Sequence, residues 1–280
     1  MSSTVWMIFI QTLDLSKCPM KHIRELSHKE YKRMNGNTIT NSEDEDMYAG
    51  GRDGTIVDLR VNDPTNRAGD IEGSPFNDTL YGGPGNQTIN GGPGDDYLSG
   101  ADSSKVRSIG NDDDTLNGGD GNDTLVAGDG TDHLTGGAGK DTFMFMSEYL
   151  DPRDGPPTYA IVADFDPEQD SILFDDPHLS PENPPGETAL YPDRFFSGKA
   201  SDAQYEDIKV ITDRSFDSAD DAARALGVAQ MEDIIVYKDS KGGVALAILD
   251  GPDSAHEFAH LNNLTMADLA SLTSDNIGIF

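Results

Sequence analysis

The 280-residue chain contains a single cysteine, Cys18, and is poor in basic residues. One cysteine cannot form a disulfide framework or a zinc site built from several thiolates. The 20 Lys and Arg residues are outnumbered by 51 Asp and Glu residues, and the formal net charge of −31 argues against nucleic acid or an anionic membrane surface as a partner. No apolar run approaches the ~20 residues that cross a bilayer, so no membrane span is predicted.

Motifs of several enzyme classes are also absent. The chain has neither the G-x-S-x-G elbow of lipases nor the G-x-x-x-x-G-K-[ST] loop that holds nucleotide phosphates. Its N-terminus has only six consecutive apolar residues, 5–10, with no positive charge before them. This pattern does not predict an N-terminal secretory signal.

The sequence does contain a nine-residue repeat, which covers residues 73–144. Three of its units read GGPGDDYLS, GGDGNDTLV and GGAGKDTFM, and most units have an acid at position six and an apolar residue at position eight. The glycine-rich part predicts a turn, and the last three residues predict a short strand whose position-eight side chain points inward. Calcium takes roughly six to eight oxygen ligands from carboxylates and carbonyls, so we expect stacked turns to share calcium ions.

These units resemble the GGxGxDxUx nonapeptide of the RTX, or hemolysin-type, calcium-binding proteins. The resemblance implies an all-β fold, a parallel β-roll in which two units make one coil and the turns alternate between two edges. It also implies that each ion lies between successive turns of one edge, bound by position-six carboxylates and by carbonyls of positions one and three. The implied ligands, for about four calcium ions, are Asp78, Gly91, Pro93, Asp96, Ile109, Asn111, Asp114, Gly118, Asp120, Asp123, Ala127, Asp129, Asp132, Gly136, Ala138 and Asp141.

Strict alternation of the units predicts which turns share an edge. One predicted edge holds the turns with Asp78, Asp96, Asp114 and Asp132, and the other holds the turns with Gln87, Lys105, Asp123 and Asp141. Lys105 would repel a cation, and Arg107 at position eight of the same unit predicts a local distortion of the core. The sequence therefore predicts up to three sites on one edge and one on the other, between the turns that begin at Gly118 and Gly136.

Three regions are predicted: a weakly ordered lead-in at 1–48, the roll at 49–144, and a mostly β cap with a C-terminal secretion signal at 145–280. The cap is expected to contain one short helix, at 218–226, and a hairpin with its tip at 239–243. Its segment IVADFDPEQDSILFDD resembles the segment that follows the repeats in serralysin-type proteases. We interpret Asp164, Asp166 and Asp170 in this segment as solvated turn acids, with binding of a further ion as the alternative.

Residues 256–260 read HEFAH and match H-E-x-x-H, a motif in which two histidines on one helix face bind zinc. The surrounding sequence favours a strand, because a turn precedes the motif and no amphipathic helix pattern covers it. On a strand the two histidines would share a face but lie about 13 Å apart, too far for one zinc ion. A zinc hydrolase that uses His256, Glu257 and His260 is therefore kept only as an alternative.

The resemblance implies export by a type I secretion machinery, which reads an uncleaved C-terminal signal, and the terminal SDNIGIF is similar to such signals. The predicted function is that of a secreted, extracellular calcium-binding protein whose roll folds on binding calcium. A host or matrix partner is left open. Because no catalytic domain is predicted before the roll, the alternative is a C-terminal module or fragment of an RTX enzyme, such as a serralysin-like metalloprotease or a polysaccharide-modifying enzyme.

Overall fold

The computed structural model of the chain describes residues 38–39, 47–48, 56–58, 70–83, 85–100, 112–146, 159–175, 195–204, 206–226, 233–251 and 253–279. All of them belong to one unit, Gly36–Phe280. Only β1 (Thr38–Ile39) and β2 (Met47–Tyr48) of the predicted lead-in are described, and Cys18 lies outside the described residues. The predicted boundary at residue 48 therefore stays a prediction.

The strands form two sheets, and successive strands from β1 to β14 alternate between them. The first sheet is parallel throughout and contains, in order, β1, β3 (Ile56–Asp58), β5 (Thr79–Tyr81), β7 (Tyr97–Ser99), β9 (Thr124–Val126), β11 (Thr142–Met146), β13 (Ser171–Asp175) and β19 (Ile277–Ile279). The second sheet contains, in order, β2, β4 (Ile71–Glu72), β6 (Thr88–Pro93), β8 (Thr115–Asp120), β10 (Thr131–Ala138), β12 (Tyr159–Val162), β18 (Ser254–Leu261), β17 (Val244–Gly251), β16 (Ile234–Asp239), β15 (Ile208–Phe216) and β14 (Phe195–Gly198).

Position-eight side chains of the repeat fill the space between the two sheets. Those of the first sheet (Leu80, Leu98, Leu125 and Phe143) and those of the second (Ile89, Leu116 and Leu134) are fully buried. Each comes from the middle of a three-residue strand segment, so its neighbours at positions seven and nine point outward. Burial of one apolar side chain per unit is what holds the two sheets together. The predicted all-β parallel roll is confirmed.

The stacking of the units departs from strict alternation at one place. Asp78 and Asp96, which lie 18 residues apart, are in adjacent turns, but the next turn on that edge contains Asp123, which lies 27 residues beyond Asp96. The opposite edge makes the same step of 27 residues from Gln87 to Asp114. One nonapeptide length is therefore left out of the coil, and the predicted assignment of turns to edges is wrong beyond the third unit.

The residue types of the fourth unit explain this step. Stacked in register, that unit would bring Lys105 into a row of carboxylates and Arg107 into the apolar core, where an unpaired charge is costly. Instead Gly100 lies directly beside Asp114, since a methyl group on Gly100 would overlap Asp114 Oδ2. Residues 101–111, which include the implied ligands Ile109 and Asn111, lie outside the described residues.

The cap continues the roll and closes it. In the second sheet β18, β17 and β16 are antiparallel, and β16 and β17 form the predicted hairpin. Helix α1 (Ala219–Leu226) forms as predicted, with the Ser218 hydroxyl accepting from Asp221 N at 3.2 Å. A six-residue helix, α2 (Met266–Ser271), follows β18 and begins with a capping box made by Thr265 and Asp268. No helix among the described residues is long and apolar enough to cross a membrane.

An aromatic cluster joins the cap to the last coil of the roll. Phe258 of β18 lies 5.4 Å from Phe145 of β11 and 5.6 Å from Phe174 of β13, measured between ring centroids. Phe145 and Phe174 are themselves stacked at 5.8 Å. These three rings bring residues of both sheets into one hydrophobic core.

Candidate metal centre

A row of carboxylates runs along one edge of the roll. Asp78 N donates to Asp96 Oδ1 at 2.7 Å, Asp96 N to Asp123 Oδ1 at 2.8 Å, and Asp123 N to Asp141 Oδ1 at 2.9 Å. Asp141 N continues the row by donating to Asp170 Oδ1 at 2.9 Å. We call this side of the roll, with the turns 73–78, 91–96, 118–123, 136–141 and 163–170, the Asp96 edge. In each turn the position-six N–H thus donates to the Oδ1 atom of the position-six aspartate in the next turn, and this bond joins the two turns.

The opposite side carries a shorter row of the same kind. Gln87 N donates to Asp114 Oδ1 at 2.8 Å, and Asp114 N donates to Asp132 Oδ1 at 2.9 Å. We call this side, with the turns 82–87, 127–132 and the turn that ends at Asp114, the Asp114 edge. The predicted neighbours Asp78 with Asp96, Asp114 with Asp132, and Asp123 with Asp141 are therefore adjacent, whereas Asp96 and Asp114 lie on different edges.

Three of these carboxylates have a second oxygen that is buried and lacks a hydrogen-bond donor among the described residues. The atoms are Oδ2 of Asp96, Asp114 and Asp123. A buried carboxylate oxygen without a partner costs several kcal/mol, on the order of the desolvation of a polar group. Cations bound between the turns would satisfy these oxygens, so the three residues fit the calcium that the repeat implies.

Glycines at position one create the space beside these oxygens. A methyl group on Gly91 would lie within 3 Å of Asp96 Oδ2 and 2.7 Å from the carbonyl oxygen of Gly118. A methyl group on Gly118 would likewise overlap Asp123 Oδ2 and lie 2.5 Å from the carbonyl oxygen of Gly136. Gly91 and Gly118, like Gly73, therefore have a carboxylate oxygen of their own turn and a carbonyl oxygen of the next turn converging on them.

The donor set consists of hard oxygen atoms. No three His, Cys, Asp or Glu side chains meet at one point within the described ranges, so an ion must take most of its ligands from carbonyls. This composition suits calcium and does not suit zinc. Of the implied position-three carbonyls, those of Asp120 and Ala138 also accept hydrogen bonds at 2.8 Å, from Gly94 N and Gly121 N of the preceding turns.

Burial and mutual repulsion make these carboxylates hard to ionise without a cation. Burial, opposed by the backbone hydrogen bond and reinforced by neighbouring acids, raises the pKa of Asp96 to about 6 and that of Asp123 to about 7. Burial also raises the pKa of Asp132 to about 7 and places that of Asp114 well above its ordinary value. Protons and calcium should therefore compete for the same oxygens near neutral pH.

This competition predicts opposite effects of pH with and without calcium. Because the folded-state pKa values exceed the ordinary 3.8, the calcium-free roll should be most stable below about pH 4 and lose stability as the pH rises through about 6 to 7. Calcium affinity should instead fall as the pH drops through that range. Circular dichroism of chelated protein and calcium titrations at about pH 6 and about pH 8 test both effects. Equal affinity at the two pH values would contradict the prediction.

A second row of side chains, at position five, was not identified from the sequence as functional. On the Asp96 edge, Asp95 N donates to Asn77 Oδ1 at 3.1 Å, and Asn122 N donates to Asp95 Oδ1 at 2.8 Å. On the Asp114 edge, Asp113 N donates to Asn86 Oδ1 at 3.2 Å. The recurrence of Asn and Asp before the position-six residue is the sequence signal for this row. These side chains bridge successive turns on the outer side of the carboxylates.

The turn 163–170 serves as a further turn of the Asp96 edge, which corrects its interpretation as a solvated loop. Asp170 is buried, and it accepts from Asp141 N and, at 2.8 Å, from Asp166 N. The carboxylate of Asp164 accepts from Gly136 N at 3.0 Å and Gly137 N at 2.9 Å. Of these three acids, only Asp166 has all of its described side-chain hydrogen bonds within its own turn. Its carboxylate accepts from Glu168 N and from Gln169 Nε2.

The HEFAH segment lies in strand β18, as the sequence predicted, but its histidines do not share a face. His256 is paired with Ile248, which packs against the core of the roll, and His260 is paired with Ala245, which lies in a separate core cluster on the other face. A bulge at Phe258 adds one residue between them and reverses the alternation. The prediction of a shared face was wrong, and the observed arrangement leaves the two histidines unable to bind one zinc ion.

Glu257 of the same segment is held by two phenols. Tyr159 Oη donates to Glu257 Oε1 at 3.0 Å, and Tyr237 Oη donates to Glu257 Oε2 at 3.1 Å. Burial and the charge of Glu257 raise the pKa of both phenols, so they remain donors. The carboxylate therefore links β12, β16 and β18 and has the surroundings of a structural residue.

Comparisons with known proteins agree with this geometry. The family model of the RTX calcium-binding nonapeptide repeat matches four copies, at residues 71–103 and 108–143, and the interval between the two ranges falls where the coil leaves out one unit. Nodulation protein O of Rhizobium leguminosarum bv. viciae is 38% identical over an alignment of 158 residues, which covers 49% of this chain and 55% of that protein. The chain thus spans about half the length of this curated relative.

A solved structure is also similar in part. The solution structure of the AlgE6R3 subunit from the Azotobacter vinelandii mannuronan C5-epimerase is 23% identical, with a TM-score of 0.24 over 72% of this chain and 77% of that one. The family match, by contrast, covers the position-six carboxylates from Asp78 to Asp141 on both edges. Residues 71–103 and 108–143 are therefore matched as RTX calcium-binding nonapeptide repeats, and the chain contains this repeat.

Proposed function

We propose that this chain is a secreted calcium-binding protein whose roll folds when it binds calcium outside the cell. The observation that supports this most directly is the set of buried Oδ2 atoms of Asp96, Asp114 and Asp123, which no donor among the described residues satisfies. Beside the Oδ2 atoms of Asp96 and Asp123, a cation would also meet carbonyl oxygens of the next turn. Calcium accepts this mixture of ligands.

The stacking of the turns suggests where the ions bind. We place three on the Asp96 edge, between the turns 73–78, 91–96, 118–123 and 136–141, and one on the Asp114 edge, between the turn that ends at Asp114 and the turn 127–132. The total of about four ions is the same as the number expected from the sequence. The turns between which the ions bind differ from those expected, because Asp96 adjoins Asp123 and not Asp114.

Electrostatics explains why folding would depend on the ion. The chain carries a formal net charge of −31, and the roll stacks carboxylates along both edges. Until cations bind, these charges repel one another and favour the unfolded chain. Binding free energy then contributes directly to folding free energy. Extracellular calcium, at about 10⁻³ M, is in the range that such sites use.

Export by type I secretion machinery is part of the same proposal. A chain that folds only in abundant calcium would remain unfolded in the cytosol and could be exported before it folds. The C-terminal strand β19 pairs with β13 in the folded protein, so the segment expected to act as the signal would be sequestered once the roll forms. The name of the curated relative refers to nodulation, and contact with a host is the corresponding proposal for this chain.

A calcium titration of the chelator-stripped protein tests the proposed function. We expect a cooperative gain of β signal in far-UV circular dichroism and uptake of about four ions in calorimetry, at about 10⁻⁴ to 10⁻³ M calcium. Magnesium at the same concentration is the matched control, because it prefers octahedral coordination with several bound waters and should bind these turns weakly. A protein that is fully folded after chelation and binds no calcium would refute the proposal.

A further inference from the structure

Two neighbouring spaces between turns of the Asp96 edge form a matched pair. The middle space lies between the turns 91–96 and 118–123, and the last space lies between the turns 118–123 and 136–141. Every residue of these three turns is described. The two spaces can therefore be compared atom by atom.

The two spaces offer a cation the same oxygen atoms. In the middle space, a methyl group on Gly91 would overlap Asp96 Oδ2 and lie 2.7 Å from the carbonyl oxygen of Gly118. In the last space, a methyl group on Gly118 would overlap Asp123 Oδ2 and lie 2.5 Å from the carbonyl oxygen of Gly136. Both Oδ2 atoms are buried, and no donor in the described part of the chain reaches them. These atoms alone would give the two spaces similar calcium affinities.

The two spaces differ in the position-five side chain that crosses them. Asp95 crosses the middle space, because its Oδ1 atom accepts from the backbone N–H of Asn122 at 2.8 Å and from the side-chain amide of Asn122 at 3.2 Å. Asn122 crosses the last space, where its Oδ1 atom accepts from Lys140 N at 3.0 Å. The preceding side chain of the row, Asn77, is also an amide and accepts from Asp95 N at 3.1 Å. The middle space is thus crossed by a carboxylate and the spaces on either side of it by neutral amides.

The charge of Asp95 acts on both carboxylates that enclose the middle space. Burial is the largest cause of the raised pKa of Asp96 and of Asp123, and repulsion from Asp95 is a further cause for each. The pKa of Asp141, beyond the last space, is raised by burial and by repulsion from Asp164. The two turns around the middle space contain no Lys, Arg or His. A negative charge that opposes ionisation of these carboxylates favours a divalent cation bound between them.

We propose that Asp95 makes the middle space a tighter calcium site than the last space, by placing a negative charge beside the bound ion. This rests on the proposed function and adds to it a residue that sets affinity. As free calcium falls, the last space loses its ion first. Asp95 is exposed to solvent, which weakens its field, so we expect a difference of about fivefold in affinity.

Nuclear magnetic resonance of backbone amides tests the proposal, because Asn122 N and Lys140 N report the middle and the last space separately. The measurement starts from calcium-loaded protein at about pH 8, above the raised pKa values of Asp96 and Asp123, and lowers free calcium with a chelator. In the wild type, the Lys140 signal should change at about fivefold higher free calcium than the Asn122 signal. Asp95→Asn keeps the acceptor for Asn122 N without the charge, so the two signals should then change at the same calcium concentration.

The double variant Asp95→Asn/Asn122→Asp is the matched control, because it moves the acid from the middle space to the last at constant net charge. The order of the two signals should reverse in it. Asp253→Asn, which removes an exposed acid from the cap, should keep the wild-type order.

Three results would overturn this inference alone: signals that change together in the wild type, a wild-type order that survives in Asp95→Asn or in the double variant, or a lost order in Asp253→Asn. A wild type that binds no calcium would instead overturn the proposed function.

Discussion

Replacement of Gly118 by alanine is expected to remove the calcium ion between the turns 118–123 and 136–141 and to destabilise the calcium-loaded roll by about 3 kcal/mol. The added methyl group would overlap Asp123 Oδ2 and lie 2.5 Å from the carbonyl oxygen of Gly136. Gly136 lies in β10, which pairs with β8 on one side, and the N–H groups of Gly136 and Gly137 donate to Asp164 on the other. Its carbonyl therefore cannot move without separating the turns. Calorimetry should count one ion fewer, and denaturant unfolding in calcium should show the lower stability.

Gly251→Ala is the control for this substitution. A methyl group on Gly251 would lie 3.8 Å from Ser254 Cβ, which is an ordinary contact. The free energy of unfolding of this variant should differ from that of the wild type by less than about 0.5 kcal/mol. The proposed use of position-one glycines would be wrong if Gly118→Ala bound the same number of ions as the wild type.

Truncation of Phe258 to alanine should lower the free energy of unfolding by about 4 kcal/mol in the presence of calcium. The side chain is 1% exposed and contacts Phe145 of β11 and Phe174 of β13, which are neighbouring strands of the first sheet. Its loss would leave a cavity where the cap meets the roll. Urea unfolding followed by circular dichroism measures the change, and a raised calcium requirement for folding should accompany it.

Phe76→Ala is the matched control, since it removes the same ring from a position that is 42% exposed. We expect a change within about 1 kcal/mol. If the two variants unfolded at the same urea concentration, the aromatic cluster would not be what joins the cap to the roll.

The regular part of the fold could be predicted because each unit repeats the same pattern of residues. A glycine turn, an acid and one inward apolar residue such as Leu98 or Leu125 specify a coil without reference to distant parts of the chain. The position-six acids were identified for the same reason. The hairpin and helix α1 also followed from local turn and capping residues, among them Ser218.

The stacking order could not be predicted from the repeat alone. It depends on whether the unit with Lys105 and Arg107 enters the coil, which is decided by the free energy of burying those charges against that of omitting a whole unit. The sequence shows the conflict but not its outcome. A count of units therefore assigned Asp123 to the wrong edge.

The local sequence pattern also failed to predict which way side chains point where one strand has an extra residue relative to its partner. The bulge at Phe258 depends on the pairing of β18 with β17, and nothing in the HEFAH segment signals it. Asp112 illustrates a further limit, because its acid stands at a position that the repeat assigns to glycine. Its proximity to Gly85 follows only from the step of 27 residues.

That step also bears on how such arrays change over evolutionary time. The coil keeps its carboxylate rows on both sides of the omitted unit, so a unit can lose its acid and its apolar residue without interrupting the stack. The turns before and after the step are joined directly, as Gly85 N is to Asp112 Oδ1, so their contact does not depend on the acid or the apolar residue of the omitted unit. A decayed repeat thus shortens the array by one unit while both carboxylate rows and the apolar core continue past it.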